Sequence, residues 1–413
     1  VCDNFVERKL QDLFQRESNN QTKYDILHIL VNIKPFTTMR TYSQLMVLSF
    51  FARAASAFSI ATPGRTDAAS RTLGKKSTHL DVLETLNKSN KLASYIDLNE
   101  ENDKKLPVAV VTGGNSGIGI PSIEALALAN MKVVLCARNL ESAKEAVETL
   151  PLSLQANIRI QELDLSDLAS IQAAATEILE IEGAQNGKID VLLNNAGVMA
   201  PPKRESTKEG LEMQFGTNHV GHHMFTRLLL PKINDEGRIV TVSSTAHSFG
   251  QLNFSNLNYD DISTSTNSAA TEERSYTAWG AYGQSKLANL LFAKGLSDRL
   301  QEEGSGITSI SLHPGVIGTN LWRYTPKWTR PLLNAIVTDK NIDQGASTNV
   351  YGCLAEKNFF PEGGEYLTDC AIAEPKSSGK DEKGSLRNKL WEATEKIIQK
   401  NGFELPKELL DGN

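Results

Sequence analysis

The feature that most constrains this chain is a glycine-rich turn set between a β-rich run and an apolar helical run. Pro107–Thr112 reads as a short strand, Gly113-Gly114-Asn115-Ser116-Gly117-Ile118-Gly119 as the turn, and the apolar-periodic segment through Ala129 as a helix. Glycines give such a turn its tight backbone. They also let main-chain N–H groups approach a pyrophosphate at the helix start. Pro121 falls in the first helical turn, where its missing N–H costs little. A glycine-rich turn alone is a weak signal, and its place between strand and helix is what strengthens this one.

The alternation then continues. Lys132–Ala137 reads as a second strand and Ile158–Leu163 as a third, closing on Asp164-Leu165. Leu168–Glu180 reads as a helix, and Val191–Asn194 as a fourth strand entering Asn194-Asn195-Ala196-Gly197. Repeated units of this length predict an α/β, Rossmann-like fold with a doubly wound parallel sheet of about seven strands and helices on both faces. The tip of the second strand, Cys136-Ala137-Arg138-Asn139, has no acid to bind a ribose 2′-hydroxyl. Arg138 is either a solvated loop residue or the partner of a 2′-phosphate, and the missing acid favours NADP(H) over NAD(H). Cys136 reads as a small buried strand residue rather than a reactive thiol.

Composition narrows the function classes. With 40% apolar and 22% charged residues among 413, the chain can bury a substantial core. A net charge of −6 argues against nucleic-acid binding, which needs clustered Lys and Arg. The cysteines (Cys2, Cys136, Cys353, Cys370) are widely spaced, as neither a disulfide scaffold nor a zinc site would have them. No apolar run reaches the roughly 18 residues of a spanning helix. A soluble globular protein is the expectation.

Two chemistries emerge further along. Tyr282 and Lys286 lie on one face of a helix read over Ala278–Arg299. An ammonium beside a phenol stabilises the phenolate, so Lys286 is expected to lower the Tyr282 pKa and fit it for proton transfer at a carbonyl or alcohol. By itself such a pair is more often an exposed helix decoration. Ser244 follows the apolar strand Gly237–Ser243, where open α/β sheets place their ligands, or else it is a turn or cap residue. Asn218 alone reads as a helix-surface amide. His219, His222 and His223 crowd one turn, lack a matching carboxylate or Cys partner, and are assigned no metal.

Thr112–Gly119, Asp164, Asn194–Gly197, Asn218, Ser243-Ser244, Tyr282-Gly283-Gln284-Ser285-Lys286 and Pro314-Gly315 with Thr319 occur together in this order. In them the sequence resembles the short-chain dehydrogenase/reductase family from residue 106 to about 370. The resemblance implies a catalytic set of Asn218, Ser244, Tyr282 and Lys286. Ser244 would hold the substrate oxygen, and Asn218 a water relay reaching Lys286. It implies cofactor contacts at Gly113, Asn115, Ser116, Gly117, Ile118, Gly119, Arg138, Asp164, Leu165, Asn195, Ala196, Gly197, Tyr282, Lys286, Pro314, Gly315 and Thr319.

Asn218-His219-Val220-Gly221-His222, Ala281–Asn289 and His313-Pro314-Gly315 are similar to the branch of retinol dehydrogenases and of Tic32, a plastid-envelope import component. That branch implies a lipophilic carbonyl or alcohol substrate, or alternatively an NADP(H)-sensing role in a plastid membrane complex. A protochlorophyllide-reductase-like photoenzyme ranks below both, since nothing points to a pigment pocket. Leu321, Trp322, Tyr324, Trp328, Leu332 and Leu333 form a lipophilic stretch. In the family this region covers the substrate, and by composition alone it is equally a homo-oligomer or core segment. A polar insertion over about 249–275 reads as a mobile or functional loop.

The ends read differently. After Met39, Arg40 gives a positive start, Leu45–Phe51 an apolar run, and Ala54-Ala55-Ser56-Ala57 a small-residue exit. That order reads as a signal peptide, with 1–38 an over-extended gene model or unstructured. The alternative is a buried apolar helix followed by a polar linker. Residues 58–79 carry Arg65, Arg71, Lys75 and Lys76 against Asp67 alone, among many Ser and Thr, as transit peptides do. With the Ala57/Phe58 junction, 39–79 resembles the bipartite presequence of algae with complex plastids, implying a plastid location with peripheral membrane association, or otherwise the secretory pathway. Residues 80–105 read as a linker with a short helix, 106–375 as one catalytic domain, and 376–413 as an amphipathic helix packed on it, with Ser385 as its N-cap.

Overall fold

Among the described residues, eight strands form one sheet in the order β3-β2-β1-β4-β5-β6-β7-β8. The computed structural model describes residues 73–98, 106–183, 188–260, 275–317 and 340–407. Residues 1–72 with most of the expected presequence, the charged stretch 99–105, most of the polar insertion, Thr319 and the aromatic stretch 321–333 lie outside the described residues. The strands are β1 Val108–Thr112, β2 Lys132–Ala137, β3 Ile158–Glu162, β4 Ile189–Asn194, β5 Ile233–Val242, β6 Thr308–His313, β7 Tyr366–Thr368 and β8 Ala371–Ala373. Every pairing from β3 to β7 is parallel.

The sheet exceeds the expected seven strands because β8 folds back antiparallel on β7. Asp369 and Cys370 make that turn, both at positive φ. A two-residue turn of this kind usually announces itself with Asn-Gly or Asp-Gly, and here it does not.

Alternate side chains of β1 enter opposite layers: Val108 and Val110 one, Ala109 and Val111 the other. Both faces are covered, so β1 is buried along its whole length and reads as a continuous apolar run. On the first face lie α4 (Leu168–Ile178), α5 (His222–Leu229), α6 (Ala278–Glu302) and α8 (Ser385–Lys400). On the second lie α1 (His79–Lys88), α2 (Gly119–Leu128), α3 (Leu140–Glu148) and α7 (Ile342–Leu354). The order reverses between β1 and β4, so the loops leaving these two strands open a crevice at their carboxyl ends, where such sheets bind ligands.

The short helix expected within residues 80–105 forms as α1, and its Val82 and Leu86 are fully buried in the second layer. A reciprocal capping box between Thr78 and Asp81 starts it. After it, the Ala93 N–H donates to the Leu354 carbonyl at the end of α7. The α8 cap is Gly384, at φ 71°, not Ser385. The Asp381 carboxylate reaches over it to accept the Leu386 and Arg387 N–H groups at 3.1 and 2.9 Å. The helix read to Glu180 ends at Ile178 and widens into a π-turn, Leu179–Gly183.

Candidate active site

The floor of the crevice is the glycine-rich turn. Gly113 sits at φ 66°, and a Cβ there would lie 2.9 Å from the Ala196 Cα. A Cβ on Gly119 would fall 2.2 Å from the Gly113 carbonyl oxygen. The turn therefore closes only without side chains at these points. The helix behind it, α2, starts at Ile118 with no side-chain cap and no acid in its first turn. The Gly119 N–H already donates to the Ser116 carbonyl at 3.0 Å and Pro121 has none, so the positive dipole end and the remaining N–H groups of the first turn are what the helix offers an anion. Ser116 is exposed at the tip of the turn, and Gly117 turns at φ 54°.

Asn115 ties this turn to the tip of β2. Its Nδ2 donates to Ser142 Oγ at 2.8 Å, and the Ser142 N–H donates to Asn139 Oδ1 at 2.9 Å. Arg138, beside Asn139, is exposed. Across the crevice, Asn195 Nδ2 donates to the carbonyls of Thr112 (2.9 Å) and Gly113 (3.2 Å). The Asn195 and Ala196 N–H groups both donate to Thr112 Oγ1, at 2.9 and 3.0 Å. Asp164 is held by Ser166, whose N–H and hydroxyl donate to its Oδ1 at 2.9 and 2.6 Å. Leu165 is buried, and its carbonyl would lie 2.5 Å from a Cβ on Gly221.

Tyr282, Ser285 and Lys286 follow from the register of α6, which Thr277 caps through its hydroxyl oxygen. Lys286 is buried, its Nζ donating to the Val242 carbonyl at 2.9 Å and lying 5.8 Å from the Tyr282 ring centroid. Burial lowers its pKa to about 8. The expected lowering at Tyr282 is reversed. Burial pushes its phenol up to about 12, with the Ser244 hydroxyl bonded to it pulling the other way. Desolvation wins because the phenol is buried while the ammonium is turned to the end of β5. Ser244 caps the next turn, its oxygen accepting the Ala246 N–H at 3.2 Å, and its hydroxyl also faces Tyr282.

Asn218 is not a surface amide but fully buried. It sits in a π-turn, Gly216–Gly221, that leads into α5. Its Nδ2 donates to the Val198 carbonyl and to Ser285 Oγ, each at 2.9 Å, and its Oδ1 accepts the Val198 N–H at 2.8 Å. Asn218 thus pins the loop after β4 to α6. An ideal Cβ on Gly197 would meet Asn218 Oδ1 at 3.3 Å and Lys286 Nζ at 3.6 Å, so the loop, the amide and the ammonium converge there. Pro314 and Gly315 follow β6, so parallel pairing puts them at the same carboxyl edge of the sheet. Gly315 turns at φ 103°, with buried Lys340 packed where its Cβ would be and paired to Asp369 at 2.5 Å.

The three histidines point to different partners. His219 Nε2 meets Thr394 Oγ1 at 2.9 Å, His222 lies between Thr112 and the Asn218 carbonyl, and His223 Nε2 meets Glu395 at 2.9 Å. A carboxylate partner does exist for His223, supplied from α8 about 170 residues away, beyond the reach of local spacing. The motif Thr112–Gly119 includes Thr112 without giving its hydroxyl a part, and Ser142 lies outside every motif. Thr112 had a signal: it is the one hydroxyl ending a strand of Val and Ala, just before the turn.

Comparison with known proteins decides the family. A family model described as short chain dehydrogenase matches residues 107–257. The chain is 37% identical over 312 residues to the chloroplastic short-chain dehydrogenase TIC 32 B of Brassica napus, covering 73% of this chain and 92% of that protein. The chain belongs to the short-chain dehydrogenase family. This short-chain dehydrogenase is also 35% identical over 292 residues to mouse retinol dehydrogenase 11, covering 70% of this chain and 84% of that one. A crystal structure of a Mycobacterium paratuberculosis protein aligns with a TM-score of 0.56 at 30% identity, over 77% of this chain and 98% of that chain. As a short-chain dehydrogenase the chain is an oxidoreductase acting on CH–OH groups with a nicotinamide cofactor. The turn that excludes side chains, the uncapped α2 and the amide-lined β1–β4 crevice fit such a dinucleotide.

Proposed function

We propose that the chain interconverts a lipophilic aldehyde or ketone and its alcohol, with NADP(H) preferred over NAD(H). The observation that carries this reading is the meeting of buried Lys286 and Asn218 beside Gly197, with half-buried Ser244 facing buried Tyr282, next to a floor built for a dinucleotide. The nicotinamide supplies or accepts the hydride. Tyr282 gives its phenolic proton to the carbonyl oxygen, while Ser244 holds that oxygen in place. The Lys286 ammonium stabilises the phenolate left behind, and Asn218 fixes the geometry between them. Arg138 would meet the 2′-phosphate, Asn115, Ser116 and the α2 N-terminus the pyrophosphate, and Pro314, Gly315 and Thr319 the nicotinamide end. The lipophilic substrate class rests on the likeness to retinol dehydrogenase 11 and on the aromatic stretch 321–333.

Titration with NADPH and NADH, then absorbance at the nicotinamide band with retinal, long-chain aldehydes and ketosteroids, tests this. Turnover of one carbonyl, lost in Tyr282→Phe while NADPH binding persists, is the expected result. Full kcat in Tyr282→Phe would overturn the assignment. A second reading is favoured by the likeness to a chloroplastic TIC 32 protein: an NADP(H)-sensing module at a plastid membrane. It predicts tight NADPH binding with no turnover across the panel. A plastid location fits both readings. Among the described residues no helix is long and apolar enough to cross a membrane.

A further inference from the structure

His222 is buried and has no part in the reaction as described so far. Its Nε2 lies 2.8 Å from Thr112 Oγ1, and its Nδ1 lies 2.9 Å from the main-chain carbonyl of Asn218. The chemistry at each end assigns its proton independently. Thr112 Oγ1 already accepts two main-chain N–H groups, from Asn195 and Ala196, and these use both its lone pairs. Its single hydrogen is therefore the donor, and His222 Nε2 at 2.8 Å is a far better acceptor than the Leu193 carbonyl at 3.5 Å. At the other end a carbonyl can only accept, so Nδ1 carries the hydrogen. Both ends give one answer: a neutral imidazole protonated on Nδ1.

From this geometry we infer that His222 is a positioning residue of the hydride-transfer site, joining the nucleotide floor to the Asn218 carbonyl. The inference rests on the proposed function. The chain of bonds runs from the Asn195 and Ala196 N–H groups through the Thr112 hydroxyl and the His222 ring to the Asn218 carbonyl. The His222 Nδ1–H is a side-chain donor to that carbonyl from four residues further along, and it helps to set the direction of the carbonyl. The Asn218 side chain holds Ser285, one position before Lys286. A shift of the floor therefore reaches the ammonium that supports Tyr282. Burial and the nearby Lys286 charge hold the His222 pKa down, so the imidazole stays neutral through the physiological range and acts by orientation.

The test pairs two variants with a readout independent of turnover. Histidine-selective ¹⁵N labelling of the full chain gives the ring tautomer directly. An Nδ1-protonated ring that does not titrate between about pH 5.5 and 8, and that shifts when NADP⁺ is added, is expected. An Nε2-protonated ring, one that titrates in this range, or one blind to NADP⁺ would overturn the inference. In kinetics with NADPH and the best carbonyl of the panel, His222→Leu should lower kcat by on the order of 10- to 100-fold. NADPH affinity should change by less than about threefold, within one rim contact's worth. His222→Gln, which can still donate and accept, should recover part of kcat. Unchanged kcat in a folded His222→Leu, or no gain with Gln, would sink the idea. Absence of turnover in wild type, with the tautomer and its NADP⁺ shift intact, would instead reject the proposed reaction and leave the coupling standing.

Discussion

Tyr282 and Lys286 are both buried, and burial moves their proton affinities in opposite directions. The phenol at about 12 is protonated at any working pH, the form needed to reduce a carbonyl. The ammonium at about 8 is charged only below that value. Reduction by NADPH should therefore hold level through neutral pH and decline as pH rises through about 8, where the charge that stabilises the departing phenolate is lost. Lys286→Met should lower kcat and abolish that limb, a result read from the pH profile of kcat; a limb that survives the substitution belongs to another group. At the other end of the cofactor, Arg138 is exposed, so its contribution is diluted by water. Arg138→Glu should still weaken NADPH about tenfold more than NADH. Equal weakening of both would place Arg138 away from the 2′-phosphate. The residue types and order of this site were legible in the sequence because each belongs to one short motif. Asn218's burial, the carboxylate facing His223 and the direction of the Tyr282 shift were not, because each depends on what tertiary packing brings near.

At the scale of elements, the legible parts are those with one dominant local signal. β2 matches its expected bounds because Val133–Ala137 is an unbroken apolar run between turns, with Lys132 leading in. β8 and the α8 cap escaped because their turns use Asp369-Cys370 and a remote Asp381 instead of the usual residues. α8 carries the clearest energetic prediction. Trp391 stacks on Phe292 of α6 with centroids 5.8 Å apart, and the Arg299 guanidinium lies 4.3 Å above its ring. Glu395 bonds to His223 (2.9 Å) and forms an ion pair with Arg227 (3.0 Å), both of α5. Trp391→Ala should cost about 3–5 kcal/mol of stability, as large aromatic truncations in cores do. Glu395→Gln keeps the shape and removes the charge, and should cost about 1–3 kcal/mol, the range for a charged hydrogen bond left incomplete. Urea unfolding reads both; Trp391→Ala within 1 kcal/mol of wild type would mean α8 is only loosely attached.

Over the whole molecule, one electrostatic theme recurs. His219, His222, His223, His247 and His313 are all buried, and in each case burial is the leading cause that lowers the pKa. His222 and His247 fall to about 4 and His313 to about 3. The unfolded chain would protonate the same rings near 6.5. Below that value the unfolded state binds protons that the folded state refuses, so stability is fully present above about pH 6.5 and is lost as pH falls toward the folded values. Each such ring contributes a slope of about 1.4 kcal/mol per pH unit while it stays neutral in the fold. Several acting together exhaust a stability of about 5–15 kcal/mol within one or two units. Acid unfolding should thus have its midpoint near pH 5, well above where carboxylates titrate, and follow the uptake of more than one proton. Circular dichroism against pH, with proton uptake measured by potentiometry, checks both. A midpoint below about pH 4 would mean that the histidines charge inside the fold. Burial would then not keep these rings neutral, and acid stability would rest on the carboxylates instead.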